Sequence, residues 1–119
     1  QTLHQGYQKV KNDGNIILLD DIVVSTQTNF DSSNKTVHLR SNNGQQRRLI
    51  RDSYLKNPLL SISNGNKVDV TNIIFDGAQV LSHSSLLSVA GDNTWFTFDE
   101  GSIIANAINN YTKSVLTLL

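Results

Sequence analysis

The apolar residues of this chain fall in short runs, often alternating with polar ones, and the runs are separated by Asn, Asp, Ser and Gly. That pattern predicts many short strands joined by polar turns. The expected strands are Ile16 to Leu19, Ile22 to Val24, Thr36 to Leu39, Arg48 to Ile50, Leu59 to Ser63, Lys67 to Val70, Ile73 to Phe75, Leu86 to Val89, Trp95 to Phe98, Ile103 to Ala105 and Val115 to Leu118. Between them, stretches such as Ser41-Asn42-Asn43-Gly44, Asn64-Gly65-Asn66 and Gly91-Asp92-Asn93 offer left-handed or tight-turn backbone at low cost. One strand comes round again. Leu59-Leu60-Ser61-Ile62-Ser63 returns 27 residues later as Leu86-Leu87-Ser88-Val89-Ala90, and a degraded third copy, Ser114-Val115-Leu116-Thr117-Leu118, follows about 28 residues on. A short strand at a fixed period in the twenties predicts a chain coiling into stacked layers.

Overlaying the copies sets Val68-Asp69-Val70-Thr71-Asn72 against Trp95-Phe96-Thr97-Phe98-Asp99. Asp69 then matches Phe96, both facing outward, and Asp99 matches Asn72. A third strand follows in each copy, Ile73-Ile74-Phe75 and Ile103-Ile104. An earlier turn of the motif is Thr36 to Ser41, with Val37 and Leu39 in the inward places of Val68 and Val70. Three strands per period with a turn at each corner is the cross-section of a parallel β-helix, in which inward side chains stack at about 4.8 Å. The N-terminus differs. Leu3, Tyr7 and Val10 share one helical face, and Asn12-Asp13-Gly14 is expected to end the helix. Residues 1–11 are therefore expected to cap the first layer, shielding its core and its backbone edge. Residues 12–119 are expected to form the layers.

Charge and composition remove several functions. Ten basic residues balance ten acidic ones, so no basic footprint invites nucleic acid or an anionic membrane. The one dense basic run, Arg47-Arg48-Leu49-Ile50-Arg51, reads as a solvated strand face. Cysteine is absent, which excludes disulfides, thiolate metal sites and a Cys nucleophile. Methionine is absent and the chain begins at Gln1, as expected of a processed product or an excised fragment. No apolar run approaches the roughly 18 residues that span a bilayer, so no membrane insertion is expected.

The runs Ile17 to Val24, Lys35 to Gly44, Leu49 to Asp52, Pro58 to Ser63 and Val70 to Gly77 resemble the N-terminal part of pectate-lyase-like right-handed β-helix domains of bacterial cell-surface and adhesin-like proteins. The resemblance covers nearly the whole chain, and its most specific element is Val68 to Gly77. It implies a secreted, cell-wall-associated protein with a right-handed parallel β-helix and an N-terminal α-helical cap. The chain departs from the pattern after Asn109-Asn110, where Tyr111-Thr112-Lys113 replaces Gly-rich layers.

Pectate lyases hold calcium with clustered carboxylates, and galacturonan hydrolases use paired Asp residues. Here Asp69, Asp76 and Asp99 do not form one column in the overlay, and Asp20-Asp21 point to opposite faces of a strand. Neither a catalytic nor a metal residue is assigned, no cofactor is expected, and calcium is a minor alternative. His4, His38 and His83 lack ligand spacing. No nucleophile elbow or phosphate-binding Gly loop is present.

For binding, neighbouring Trp95 and Phe96 are expected to place one aromatic outward, where it can stack on a sugar ring. Asp69, Tyr54 and Tyr111 join them as candidate glycan contacts. The expected function is a non-enzymatic extracellular scaffold or adhesion module of a bacterial surface protein. Its partners are expected to be a host or cell-wall glycan or protein. The alternative is a polysaccharide lyase or glycoside hydrolase. Self-association through an open C-terminal layer is a further expectation, because unpaired strand edges recruit partners.

Overall fold

The computed structural model describes residues 2–82, 84–109 and 116–118. They form parallel β-sheets with one short α-helix, so the all-β expectation holds at that level. Helix α1 (Leu3–Lys9) precedes β1 (Gly14–Leu18), β2 (Ile22–Val24), β3 (Thr28–Phe30), β4 (Thr36–Ser41) and β5 (Arg47–Arg51). Then come β6 (Leu60–Ile62), β7 (Lys67–Thr71), β8 (Ile73–Asp76), β9 (Leu81–Ser82) and β10 (Leu87–Val89). The last are β11 (Trp95–Phe98), β12 (Ile103–Ala105), β13 (Ile108–Asn109) and β14 (Leu116–Leu118).

Sheet A runs β1-β4-β7-β11, sheet B β2-β5-β8-β12 and sheet C β3-β6-β10-β14, with β9 and β13 forming a small fourth pair. Consecutive strands thus enter different sheets. Each later strand lies parallel to one that passed between 23 residues earlier (Gly14 to Val37) and 32 residues earlier (Thr28 to Leu60). No hairpin can make such a connection. The turns between strands rely on asparagine: Asn34, Asn43, Asn64, Asn72, Asn93 and Asn106 all have positive φ, which Asn tolerates better than other side chains.

Register decides which side chains meet. Val37 lies against Val68 and Leu39 against Val70, as the overlay expects, and all four are buried. The next strand is one residue away from the expected alignment. Trp95 pairs with Lys67, Phe96 with Val68, Thr97 with Asp69 and Phe98 with Val70. A slip of one residue exchanges the two faces of a strand. Phe96 therefore turns inward onto Phe75, ring centroids 5.9 Å apart, and Trp95 turns outward. The third copy of the repeated strand is also shifted by one, since Leu87 pairs with Leu116 rather than Val115. β3 was not expected at all. Thr28-Asn29-Phe30 carries one large apolar residue, yet it aligns with Leu60-Ser61-Ile62 and buries Phe30 completely.

Helix α1 begins with a capping box: Gln5 N–H donates to Thr2 Oγ1, and Thr2 N–H donates to Gln5 Oε1. Leu3 and Tyr7 are buried, and the Tyr7 ring stacks on Phe30 at 4.2 Å. The helix stops earlier than expected. Val10 is already extended, and the left-handed residue of the following turn is Asp13, not Gly14.

The basic run is not a solvated face. Arg48 pairs with Asp76 at 2.8 Å. Arg51 is only 2% exposed, and it donates to the carbonyls of Leu55, Asn57 and Ser85. It is a buried cross-tie for the loop after β5, and burial lowers its pKa.

Candidate functional site

Sheet A presents the densest group of polar side chains. Because Val37, Leu39, Val68 and Val70 point inward, the residues between and beside them point outward. Parallel register then builds three rows across the strands. One row is Thr36, Lys67 and Trp95; the next is Asn15, His38, Asp69 and Thr97; the last is Ile17, Arg40 and Thr71.

The first row forms an open ledge. Trp95 is 63% exposed and Lys67 beside it is also exposed. Thr36, Lys67, Val68, Asp69, Trp95 and Thr97 line a shallow depression of about 160 Å³. An exposed indole beside hydroxyl groups and an ammonium is a surface on which a ring-shaped polar ligand can stack and hydrogen-bond.

The second row is closed upon itself. His38 Nδ1 lies 2.5 Å from Asp69 Oδ2, and His38 Nε2 lies 2.7 Å from Asp13 Oδ1. Asp13 comes from the turn before β1, so one imidazole joins that turn to β7 across β4. The Asp13 and Asp69 hydrogen bonds raise the His38 pKa above its ordinary 6.5, against the lowering effect of burial. Asp69 Oδ1 is buried without a hydrogen bond, with Arg40 Nη2 3.6 Å away. Arg40 itself donates to Asn15 Oδ1 at 3.0 Å and Thr71 Oγ1 at 3.2 Å.

The residues singled out in the sequence are thus divided. Trp95 and Asp69 meet on this face. Phe96 faces the core from the same strand. Tyr54, 89% exposed, stands on the loop between β5 and β6, which joins sheets B and C. Tyr111 and His83 lie outside the described residues. Asp76 is buried in sheet B, where Ala78 N–H, Asn106 Nδ2 and Arg48 Nη1 all donate to it. Burial opposes its ionisation, but these donors outweigh burial and lower its pKa. Asp20 and Asp21 close a strand end: Asp21 N–H donates to Asp20 Oδ1, and Arg48 N–H donates to Asp21 Oδ1.

Sequence reasoning missed Thr36, Lys67, His38, Asp13 and Arg40. The signal was present: setting Val37 over Val68 also sets His38 over Asp69. Two larger hollows, about 360 and 350 Å³, flank α1 at the β1 and β2 edges; the first is lined by uncharged polar residues from Ser25 to Asn29 besides His4, the second by one acid, Asp20, and neither brings ionisable groups together. Among the described residues, no group of three or more His, Asp or Glu side chains is arranged to hold a metal ion. No helix among them is long and apolar enough to cross a membrane.

Compared with family models, with curated proteins and with solved structures, the chain matches none.

Proposed function

We propose that the chain is a right-handed parallel β-helix module of pectate-lyase-like type, acting as a non-enzymatic adhesion or scaffold domain on a bacterial surface. Its outward sheet A face contacts glycans. The coiled architecture is supported by three parallel sheets filled in rotation by successive strands, each set beside a strand from the previous passage of the chain. Helix α1 serves as its cap, with Tyr7 packed on Phe30 at the β3 edge.

The observation that carries the glycan reading is Trp95. An indole 63% exposed, in register with Lys67 and beside a polar depression, offers its flat face to a sugar ring. A binding role is favoured over lyase or hydrolase chemistry by the state of the carboxylates. Asp69, the acid that lines the depression with Trp95, gives one oxygen to His38 and buries the other. A glycosidase needs two carboxyl groups open to the scissile bond.

A glycan array probed with the soluble chain tests the reading, with Trp95→Ala as control. Capture by the native chain and its loss in W95A support it. Equal capture by both removes Trp95 from the site, and no capture removes the function. A parallel assay on polygalacturonate with calcium that released ultraviolet-absorbing unsaturated product would overturn the non-enzymatic reading.

A further inference from the structure

His38 is placed where only its charged form satisfies both neighbours. A neutral imidazole has one N–H and one lone pair, whereas the imidazolium donates from both nitrogens. With carboxylate oxygens 2.5 Å from Nδ1 and 2.7 Å from Nε2, a neutral ring sets its lone pair against an oxygen lone pair on one side. One contact then has to open.

The two carboxylates are not equally free to leave. Asp69 is half-buried within β7. Asp13 is 77% exposed and sits on a turn in left-handed backbone. The weaker hold is therefore Asp13. Its turn is bound to the edge of the binding ledge: Asp13 N–H donates to the Thr36 carbonyl at 2.7 Å, and Thr36 N–H donates to Asn12 Oδ1 at 2.8 Å. Thr36 is one wall of the depression beside Trp95.

We propose that His38 is a proton-operated latch on the sheet A face. As imidazolium it ties the Asn12-Asp13 turn to β7 across β4 and holds Thr36 in place. On losing its proton it releases the Asp13 carboxylate, leaves the turn held only by its two hydrogen bonds to Thr36 and so looser, and leaves the face one positive charge poorer beside Lys67 and Trp95. The charged groups facing it are Asp13 from the turn, Asp69 and Lys67 from β7, and Arg40 from its own strand; β1 and β11 contribute the neutral Asn15 and Thr97. The raised His38 pKa sets the direction: the latch is closed below 6.5 and opens as pH climbs through the raised value. The consequence for a ligand rests on the glycan reading above, whereas the latch itself does not.

Nuclear magnetic resonance on the whole chain tests it. The His38 ring should titrate above 6.5. The exchange protection of the Asp13 amide should fall by a few-fold through that same midpoint, the size that an exposed ion pair supports. D13N should lower the midpoint and abolish the step in protection while leaving the circular dichroism spectrum unchanged. Should D13N fail to fold, the native titration decides alone. A His38 midpoint at or below 6.5, or flat protection through the midpoint, overturns the latch. Glycan arrays run at about pH 5.5 and about pH 8.5 separate the two readings, since His charge changes between them. Capture that differs between the two supports the coupling, and equal capture with a working latch overturns it. No capture at either pH overturns the glycan reading and leaves the latch to the magnetic resonance result.

Discussion

The Tyr7 hydroxyl donates to Asn66 Oδ1 across 2.5 Å, joining helix α1 to a turn 59 residues further along the chain. The same oxygen accepts from Ser32 N–H at 2.9 Å, and Asn66 Nδ2 donates to the carbonyls of Ser32 and Ser63. Asn66 is fully buried, so removing one partner strands the others. Tyr7→Phe keeps the stacking on Phe30 and deletes only the hydroxyl. It should cost about 1–3 kcal/mol in chemical denaturation, the penalty for an unsatisfied buried group. A change within a few tenths of a kilocalorie would mean that the network repairs itself.

Two glycines should respond oppositely to asparagine. Gly44 has φ +67 and open space around a notional Cβ. Gly44→Ala should cost about 1–2 kcal/mol of left-handed strain, and Gly44→Asn should recover most of it, as Asn at such positions does elsewhere in this chain. Gly77 has no such φ, but a Cβ there lies 2.6 Å from the Asn106 carbonyl oxygen and 2.9 Å from Ala107 Cα. Gly77→Ala should cost about 1–3 kcal/mol by overpacking, and Gly77→Asn should be worse. Melting temperatures of the four variants check the pattern.

Asp76 should make the fold acid-sensitive. Its pKa is lowered in the folded chain, so its contribution is present above the ordinary 3.8 and is lost as pH falls through the lowered value. The native chain should therefore lose stability in that range more steeply than Asp76→Asn. At neutral pH, D76N should be less stable by about 1–3 kcal/mol, because Arg48 and Asn106 lose a charged acceptor. Urea midpoints across an acid series measure both effects.

Asn43-Gly44 should deamidate before Asn64-Gly65. In this reaction the glycine nitrogen attacks the asparagine Cγ, ammonia leaves, and water opens the resulting succinimide to Asp or isoaspartate. Gly65 is buried, its N–H donates to Thr94 Oγ1, and Asn64 Nδ2 donates to the Asp31 carbonyl. Those bonds hold both nucleophile and leaving group. Asn43 and Gly44 are exposed on a short 3₁₀ turn. Peptide mapping after warm alkaline incubation should find the modified peptide at Asn43 first.

Much of the fold is written locally. Alternating apolar residues, asparagine-rich corners and one amphipathic N-terminal segment predict short strands, their turns and a helix, and most of these stand where expected. Side-chain alternation also marks Val37, Leu39, Val68 and Val70 as inward, because a strand's faces repeat every second residue. The same period of two limits what can be read. It leaves a one-residue slip almost unmarked when both strands are rich in aromatic or β-branched residues, as at Trp95 to Phe98. Hence Trp95 and Phe96 exchanged faces between the expected alignment and the observed one. β3 escaped notice because Thr28 is polar by type and is buried only by its neighbours.

The candidate site was less legible than the fold. By itself the sequence determined that outward polar residues flank buried apolar ones on β4 and β7, since that follows from pleat geometry. Only the tertiary structure decided that Asp13, 25 residues before His38, and Asp69, 31 residues after it, reach the two nitrogens of one ring. The register between paired strands, together with a turn that folds back beside Thr36, sets that meeting. Both depend on how far the chain travels between paired strands, and that distance varies from pair to pair with no marker in the residues themselves.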